Sequence, residues 1–103
     1  MPKTEAAASK EWGAKTIHTL SIVIPCYNES ATLEDLVRRV LSADACGLNL
    51  DVILVDDGSS DGSAEKAEEL ARGEARLRVA RHGSNQGKGA AVRTGFALAR
   101  GQL

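Results

Sequence analysis

Two adjacent carboxylates, Asp56 and Asp57, end the apolar run Asp51-Val52-Ile53-Leu54-Val55 and lead into Gly58-Ser59-Ser60-Asp61-Gly62-Ser63. Acids at the carboxyl end of a strand stand in the crevice where open α/β sheets bind ligands. Asp57 offers an acceptor for the ring N–H of uracil or guanine. Another apolar run, Leu20-Ser21-Ile22-Val23-Ile24, ends at Pro25-Cys26-Tyr27-Asn28-Glu29, where Tyr27 presents a flat face to a base. A third segment, Gly83-Ser84-Asn85-Gln86-Gly87-Lys88-Gly89, joins glycines to a lysine. Glycines that open a helix leave free N–H groups that attract anions, and Lys88 adds a mobile positive charge. Taken singly, Tyr27 and Glu29 read more readily as structural, and Asp56 as a former of the turn.

Three standard fingerprints fail. The series Asp57, Ser59, Asp61, Gly62, Glu68 fits an EF-hand calcium loop by position, but that loop needs an entering helix and here a β-branched run precedes it. The glycine segment has three residues between Gly83 and Gly87, where a Walker A loop has four, and Gly89 brings no hydroxyl for magnesium. Gly87-x-Gly89-x-x-Val92 lacks the third glycine of a dinucleotide fingerprint.

These groups need a scaffold. The apolar, non-alternating runs predict parallel strands covered on both faces, at Leu20–Pro25, Asp51–Val55 and Leu77–Ala80. Leu33, Leu36, Val37, Val40 and Leu41 recur with helical spacing, with Ser30 as cap and Gly47 just past the end. Ala64, Ala67, Leu70 and Ala71 make a weaker stripe capped by Ser60 or Asp61. Ala90 to Arg100 reads as a third helix, with Val92, Phe96 and Ala99 on one side and Gly101 closing it. The order βαβαβα, with crossover-length connections, predicts an α/β, Rossmann-like three-layer half-domain with a parallel sheet in strand order 3-2-1. The first strand then lies on an open edge, which invites pairing with another chain.

Residues 1–19 show no sustained periodicity and read as a flexible tail, leaving 20–103 as one domain. Thirteen basic and fourteen acidic residues give a formal charge of −1, and no basic block exceeds Arg38-Arg39, which argues against a nucleic-acid surface. Cys26 and Cys46 have neither disulfide-framework nor zinc spacing. No run approaches the roughly 18 apolar residues of a membrane span, so a cytoplasmic location is expected.

Ser21–Glu29, Val55–Ser63 and Asn85–Phe96 together resemble the family 2 glycosyltransferases of the GT-A fold, in order and in spacing. The last segment is most similar to the branch that makes dolichyl- or polyprenyl-phosphate sugars. The resemblance runs from about Leu20 to Leu103. It implies that Pro25, Tyr27, Glu29, Val55 and Asp57 line a nucleotide pocket, with Asp57 reading the base, and that Lys88 and Arg93 lie toward the diphosphate. The implied reaction is inverting transfer of a hexose from a UDP- or GDP-sugar to a polyprenyl phosphate, on the cytosolic face of a membrane. The family holds Mg²⁺ or Mn²⁺ on an Asp-x-Asp motif, which this sequence lacks. By resemblance the chain ends about where that motif's strand begins. Catalytic residues are therefore expected beyond Leu103 and none within the chain, so a partial chain, inactive alone, is expected. The rival expectation is a non-catalytic nucleotide-binding or strand-pairing module.

Overall fold

The computed structural model describes residues 19–100. Six elements alternate along them: β1 (Thr19–Cys26), α1 (Leu33–Ser42), β2 (Asn49–Asp56), α2 (Ser63–Arg72), β3 (Leu77–Arg81) and α3 (Lys88–Leu98). The strands form one parallel sheet in the order β1-β2-β3, with Ile22 opposite Val52 and Val52 opposite Leu77. The expected α/β half-domain and strand order are those observed. The expected tail lies outside the described residues except for Thr19, which begins β1. Gly101 and Leu103 also lie outside them, and with Leu103 the expectation that catalytic residues follow it.

Alternation along β2 divides the core. Val52 and Leu54 face α1 and α2, where Ile24, Cys26, Leu33, Val37 and Ala67 pack. Ile53 and Val55 face α3 and meet Ala91, with Val23 and Ala80 alongside. Burial on both faces is what the unbroken apolar run in β2 requires.

Several boundaries differ from the sequence reading. β1 runs through Pro25 to Cys26 instead of ending at the proline. The Cys26 carbonyl accepts the Asp57 N–H (2.8 Å), so alternation turns Pro25, which has no N–H, to the open edge. α3 begins at Lys88 and ends at Leu98, not Ala90 and Arg100. Its inner face is Ala91 and Gly95, whereas Phe96 is 52% exposed. The helix lies so near the sheet that a Cβ on Gly95 would overlap the Val23 side chain, which leaves no room for a ring. Leu36, placed in the apolar stripe of α1, is exposed, whereas Leu33 and Val37 are buried and Val40 and Leu41 pack against the same core.

Two acids, Asp51 in β2 and Asp57 just past its end, fix α3 at its ends. Near the start of the strand, buried Asp51 accepts from the Ser21 hydroxyl (2.8 Å), from Arg78 Nε and Nη2 (3.0 Å each) and from the Arg100 N–H (2.9 Å). Arg78 also donates to the Leu98 carbonyl (2.7 Å). Burial pushes the Asp51 carboxyl up, but the donors from Arg100, Ser21 and Arg78 outweigh it and hold the group below its ordinary value. Asp57, beyond the other end, accepts the backbone N–H groups of Gln86 and Gly87, which lead into α3.

The loops after β1 and β2 are laced together. Asn28, at φ 53°, donates its N–H to Ser59 Oγ (2.8 Å) and accepts from the Ser60 N–H (2.9 Å). The Glu29 N–H donates to Ser63 Oγ (2.9 Å) and the Ser30 N–H to Asp61 Oδ2 (3.1 Å). Ser30 is therefore a cross-loop donor and not the cap of α1, whose N-cap is Thr32. The N-cap of α2 is Gly62, at φ 90°, and the neighbouring Asp61 takes the Ser63 N–H (3.0 Å) and hydroxyl (2.5 Å).

The Ser63 hydroxyl, foremost among these donors, pulls the Asp61 carboxyl from 3.8 down to about 2. A folded pKa below the unfolded one stabilises above about pH 4, and that stabilisation is lost as pH falls toward 2. Glu74, held by Arg76, behaves alike at the other end of the sheet, so the Asp61 share must be read as a difference. Urea midpoints of wild type and Asp61→Asn should differ by a constant gap above about pH 4 that closes toward pH 2. Gly58, at φ 80°, meets the backbone of Ser84 and Asn85 where a Cβ would stand (2.5 Å). Gly58→Ala should lower the unfolding free energy by about 2 kcal/mol or more, read from the same urea curves.

Candidate functional site

A cleft of about 360 Å³ opens at the carboxyl ends of the strands, lined by Pro25, Cys26, Tyr27, Glu29, Asp57, Asn85, Gly87, Lys88 and Ala91. Five of the seven residues singled out from the sequence meet there: Pro25, Tyr27, Glu29, Asp57 and Lys88. Val55 does not reach it. It is fully buried in the sheet beside Pro25, on the α3 side of the core. Arg93 is exposed one turn into α3, with its guanidinium lying back over Gly89 (3.5 Å from where a Cβ would stand), outside the cleft wall.

Each wall has its own chemistry. Tyr27 is 48% exposed and brings an aromatic ring to the cleft. The Cys26 thiol beneath it is buried, and burial, aided by the charge of Asp56, pushes its pKa up. Lys88 is the first residue of α3 and is exposed. The first-turn N–H groups of that helix have no intrahelical acceptor, so cation and helix terminus favour the same kind of ligand, an anion.

Asp57 is only 3% exposed and its carboxylate is engaged from three directions. Oδ1 accepts from His82 Nδ1 (2.8 Å) and from the Gln86 N–H (2.9 Å), and Oδ2 accepts from the Gly87 N–H (2.8 Å). These donors, His82 first, hold its pKa below the ordinary carboxylate value. An ionised carboxylate has about four acceptor positions, so one, on Oδ2, remains. His82 is braced in turn, because its Nε2 meets Thr94 Oγ1 on α3 (2.9 Å).

The sequence reading missed His82, Cys26, Asn85 and the Gln86 and Gly87 amides. Only His82 had a signal, as a titratable group just ahead of the glycine segment. The amides are recruited by the fold of the loop over Gly58, which side-chain types do not disclose.

A divalent cation does not fit Asp56 and Asp57, and Glu29, whose carboxylate among the described residues meets only the Thr32 hydroxyl (3.4 Å), stands as a single acid. Asp57 has one acceptor position left. Asp56 faces away into the protein, with Oδ2 accepting from the Ser59 N–H (2.9 Å) and Oδ1 buried without a partner. Among the described residues no group of three or more His, Cys, Asp or Glu is arranged to hold a metal. The loop at Asp57 is entered by strand β2, not by the helix an EF-hand needs. A second cleft, of about 460 Å³, lies between Ala43 and Leu50 beside Arg76, whose guanidinium is committed to Glu74. None of the described helices is long and apolar enough to cross a membrane.

The geometry has counterparts. A mannosyltransferase from Pyrobaculum calidifontis, solved with GDP-Man and Mn²⁺, superposes with a TM-score of 0.67 at 22% identity, covering 90% of this chain and 30% of that one. That likeness fixes the fold as a GT-A-type α/β sheet. Among curated proteins, the undecaprenyl-phosphate 4-deoxy-4-formamido-L-arabinose transferase of Edwardsiella ictaluri is 42% identical over 91 residues, 86% of this chain and 28% of the relative. The same-named protein of Aeromonas hydrophila is 44% identical over 89 residues, 84% and 27% respectively. The chain thus spans little more than a quarter of the length of these relatives. The sequence profile of glycosyl transferase family 2 matches residues 21–103, most of the chain, so the protein belongs to glycosyl transferase family 2.

Proposed function

We propose that this chain is the nucleotide-sugar-binding part of an inverting hexosyltransferase acting on a UDP- or GDP-sugar, with a polyprenyl or dolichyl phosphate as acceptor. One observation carries the reading. An exposed tyrosine (Tyr27), a buried carboxylate with one open acceptor position (Asp57) and a cation at a helix N-terminus (Lys88) line a single cleft. A nucleoside diphosphate asks for these three contacts: a stack for the base, an acceptor for its ring N–H, and positive charge for the phosphates. Pro25 and Glu29 complete the base side. Val55 acts from beneath, as the support of Pro25, and Arg93 reaches the diphosphate from outside the wall.

The names of the relatives support the acceptor, since both name undecaprenyl phosphate. In the proposed step an acceptor phosphate oxygen attacks the anomeric carbon from the side opposite the diphosphate. The new C–O bond forms as the C–O bond to the diphosphate breaks, and the nucleoside diphosphate leaves with the electron pair. A phosphate acceptor is ionised near neutral pH and needs no base to attack. Lys88 and the first-turn amides of α3 stabilise the charge that grows on the leaving group. We assign neither Mg²⁺ nor Mn²⁺ to Asp56 and Asp57, because their carboxylates are committed within the chain, and Glu29 alone does not make a metal site. A lipid phosphate acceptor would bring the site to the cytosolic face of a membrane.

Titration of the chain with UDP and uridine tests the reading. Tyr27→Ala should weaken both ligands, between about 5- and 150-fold, as expected for loss of a base–aromatic stack. Lys88→Ala should weaken UDP by about tenfold and leave uridine unchanged, as for loss of one charge-assisted contact. Both side chains are exposed, so the urea midpoints should not move. Absence of nucleotide binding, or equal losses for UDP and uridine in Lys88→Ala, would contradict it.

The edge of the sheet supports a second, smaller proposal. Among the described residues no strand pairs with the outer side of β1, and Phe96 and Leu98 of the overlying α3 are exposed. We propose that the isolated chain self-associates there through strand pairing. Sedimentation velocity should show a mass that rises above 10.8 kDa with concentration, whereas a monomer at every concentration would refute it.

A further inference from the structure

We propose that His82 sets the base preference of the cleft: by occupying Asp57 it leaves the pocket one acceptor position, which fits uracil and disfavours guanine. The inference rests on the nucleotide-binding reading above and concerns a residue that does not line the cleft.

Oδ1 of Asp57 already accepts from His82 Nδ1 and the Gln86 N–H, and Oδ2 from the Gly87 N–H. With about four positions on a carboxylate, one is open, on Oδ2. Uracil presents a single ring N–H between two carbonyl oxygens, and one acceptor satisfies it. Guanine presents a ring N–H and an exocyclic amine side by side, which pair with both oxygens of a carboxylate. Here the second donor would be left facing a filled oxygen, and a desolvated donor without a partner is costly.

His82 is suited to hold this state. Its side chain is only 10% exposed, and the ring is fixed at both nitrogens, at Asp57 and at Thr94 on α3 (2.9 Å). An ionised carboxylate only accepts, so Nδ1 carries the proton of that bond. The Thr94 hydroxyl can donate or accept and completes the other nitrogen in either case. The Gln86 and Gly87 amides are set by the course of the loop, which leaves His82 as the side chain whose exchange reopens an acceptor on Oδ1. His82 is thus a positioning residue.

Titration of the chain with UDP and with GDP, in wild type and variants, tests this. His82→Gln removes the donor at Nδ1, His82→Asn keeps an N–H near that atom, and Thr94→Val releases the ring while leaving His82 in place. Wild type should prefer UDP. The preference should fall by about fivefold, the value of one hydrogen bond, in His82→Gln and Thr94→Val, and persist in His82→Asn. If circular dichroism shows His82→Gln unfolded, Thr94→Val carries the test. An unchanged UDP-to-GDP ratio in His82→Gln and Thr94→Val, with both nucleotides weakened together, would overturn the inference and leave the nucleotide site standing. A wild type that prefers GDP would overturn it as well. A wild type that binds neither nucleotide would remove both the inference and the reading beneath it.

Discussion

A buried carboxylate must be paired, and the way Asp57 is paired shapes everything around the cleft. The strand that carries it is covered on both faces, so water cannot serve the group from the sides. The chain supplies the partners by folding the β3–α3 loop back until Gln86 and Gly87 point their N–H groups at it and His82 closes from the strand end. That same fold brings Asn85, Gly87 and Lys88 to one wall of the cleft, opposite Tyr27 and Glu29. Gly58 makes it possible, since only a residue without Cβ lets the backbone of Ser84 and Asn85 come so close.

Asp51 repeats the device at the other end of β2. The two aspartates, six positions apart along the chain, take backbone N–H groups from either end of α3. This explains how a helix whose inner face is Ala91 and Gly95 stays in place with little apolar area to bury. Because its ends are fixed by hydrogen bonds, α3 can approach the sheet at glycine distance. The nearness also brings Thr94 within reach of His82 and extends the network from the pocket acid into the helix. Opposite, the β1 and β2 loops are joined by side-chain-to-backbone bonds from Asn28, Ser59, Asp61 and Ser63, so the base side is as tightly set as the phosphate side.

The strands, the helices and their order were legible in the sequence because apolar runs and helical spacing report burial directly. So was the cleft, since Asp57, Tyr27 and Lys88 each follow a strand or open a helix. What escaped depends on distances between elements. Periodicity grouped Phe96 with Val92 and Ala99 on one side of the helix, but the face that meets the sheet is that of Ala91 and Gly95, too close to Val23 for a ring. Ser30 looked like a cap, but α1 starts only at Leu33 behind Thr32, and the Ser30 backbone N–H goes across to Asp61. Asp57 was legible as an acid in a crevice. That three of its acceptor positions are spent inside the chain follows only once the loop is traced, and His82 becomes visible with it.

The central claim is that the cleft between Tyr27, Asp57 and Lys88 is where a nucleotide sits. Amide chemical shifts of the chain, followed by heteronuclear NMR as UDP is added, address it most directly. The account predicts that the amides of Tyr27, Glu29, Asn85 and Lys88 move together and saturate at one ligand concentration, while those of Ala43 to Leu50 stay still. Saturable shifts confined to the second cleft, or none anywhere, would contradict it.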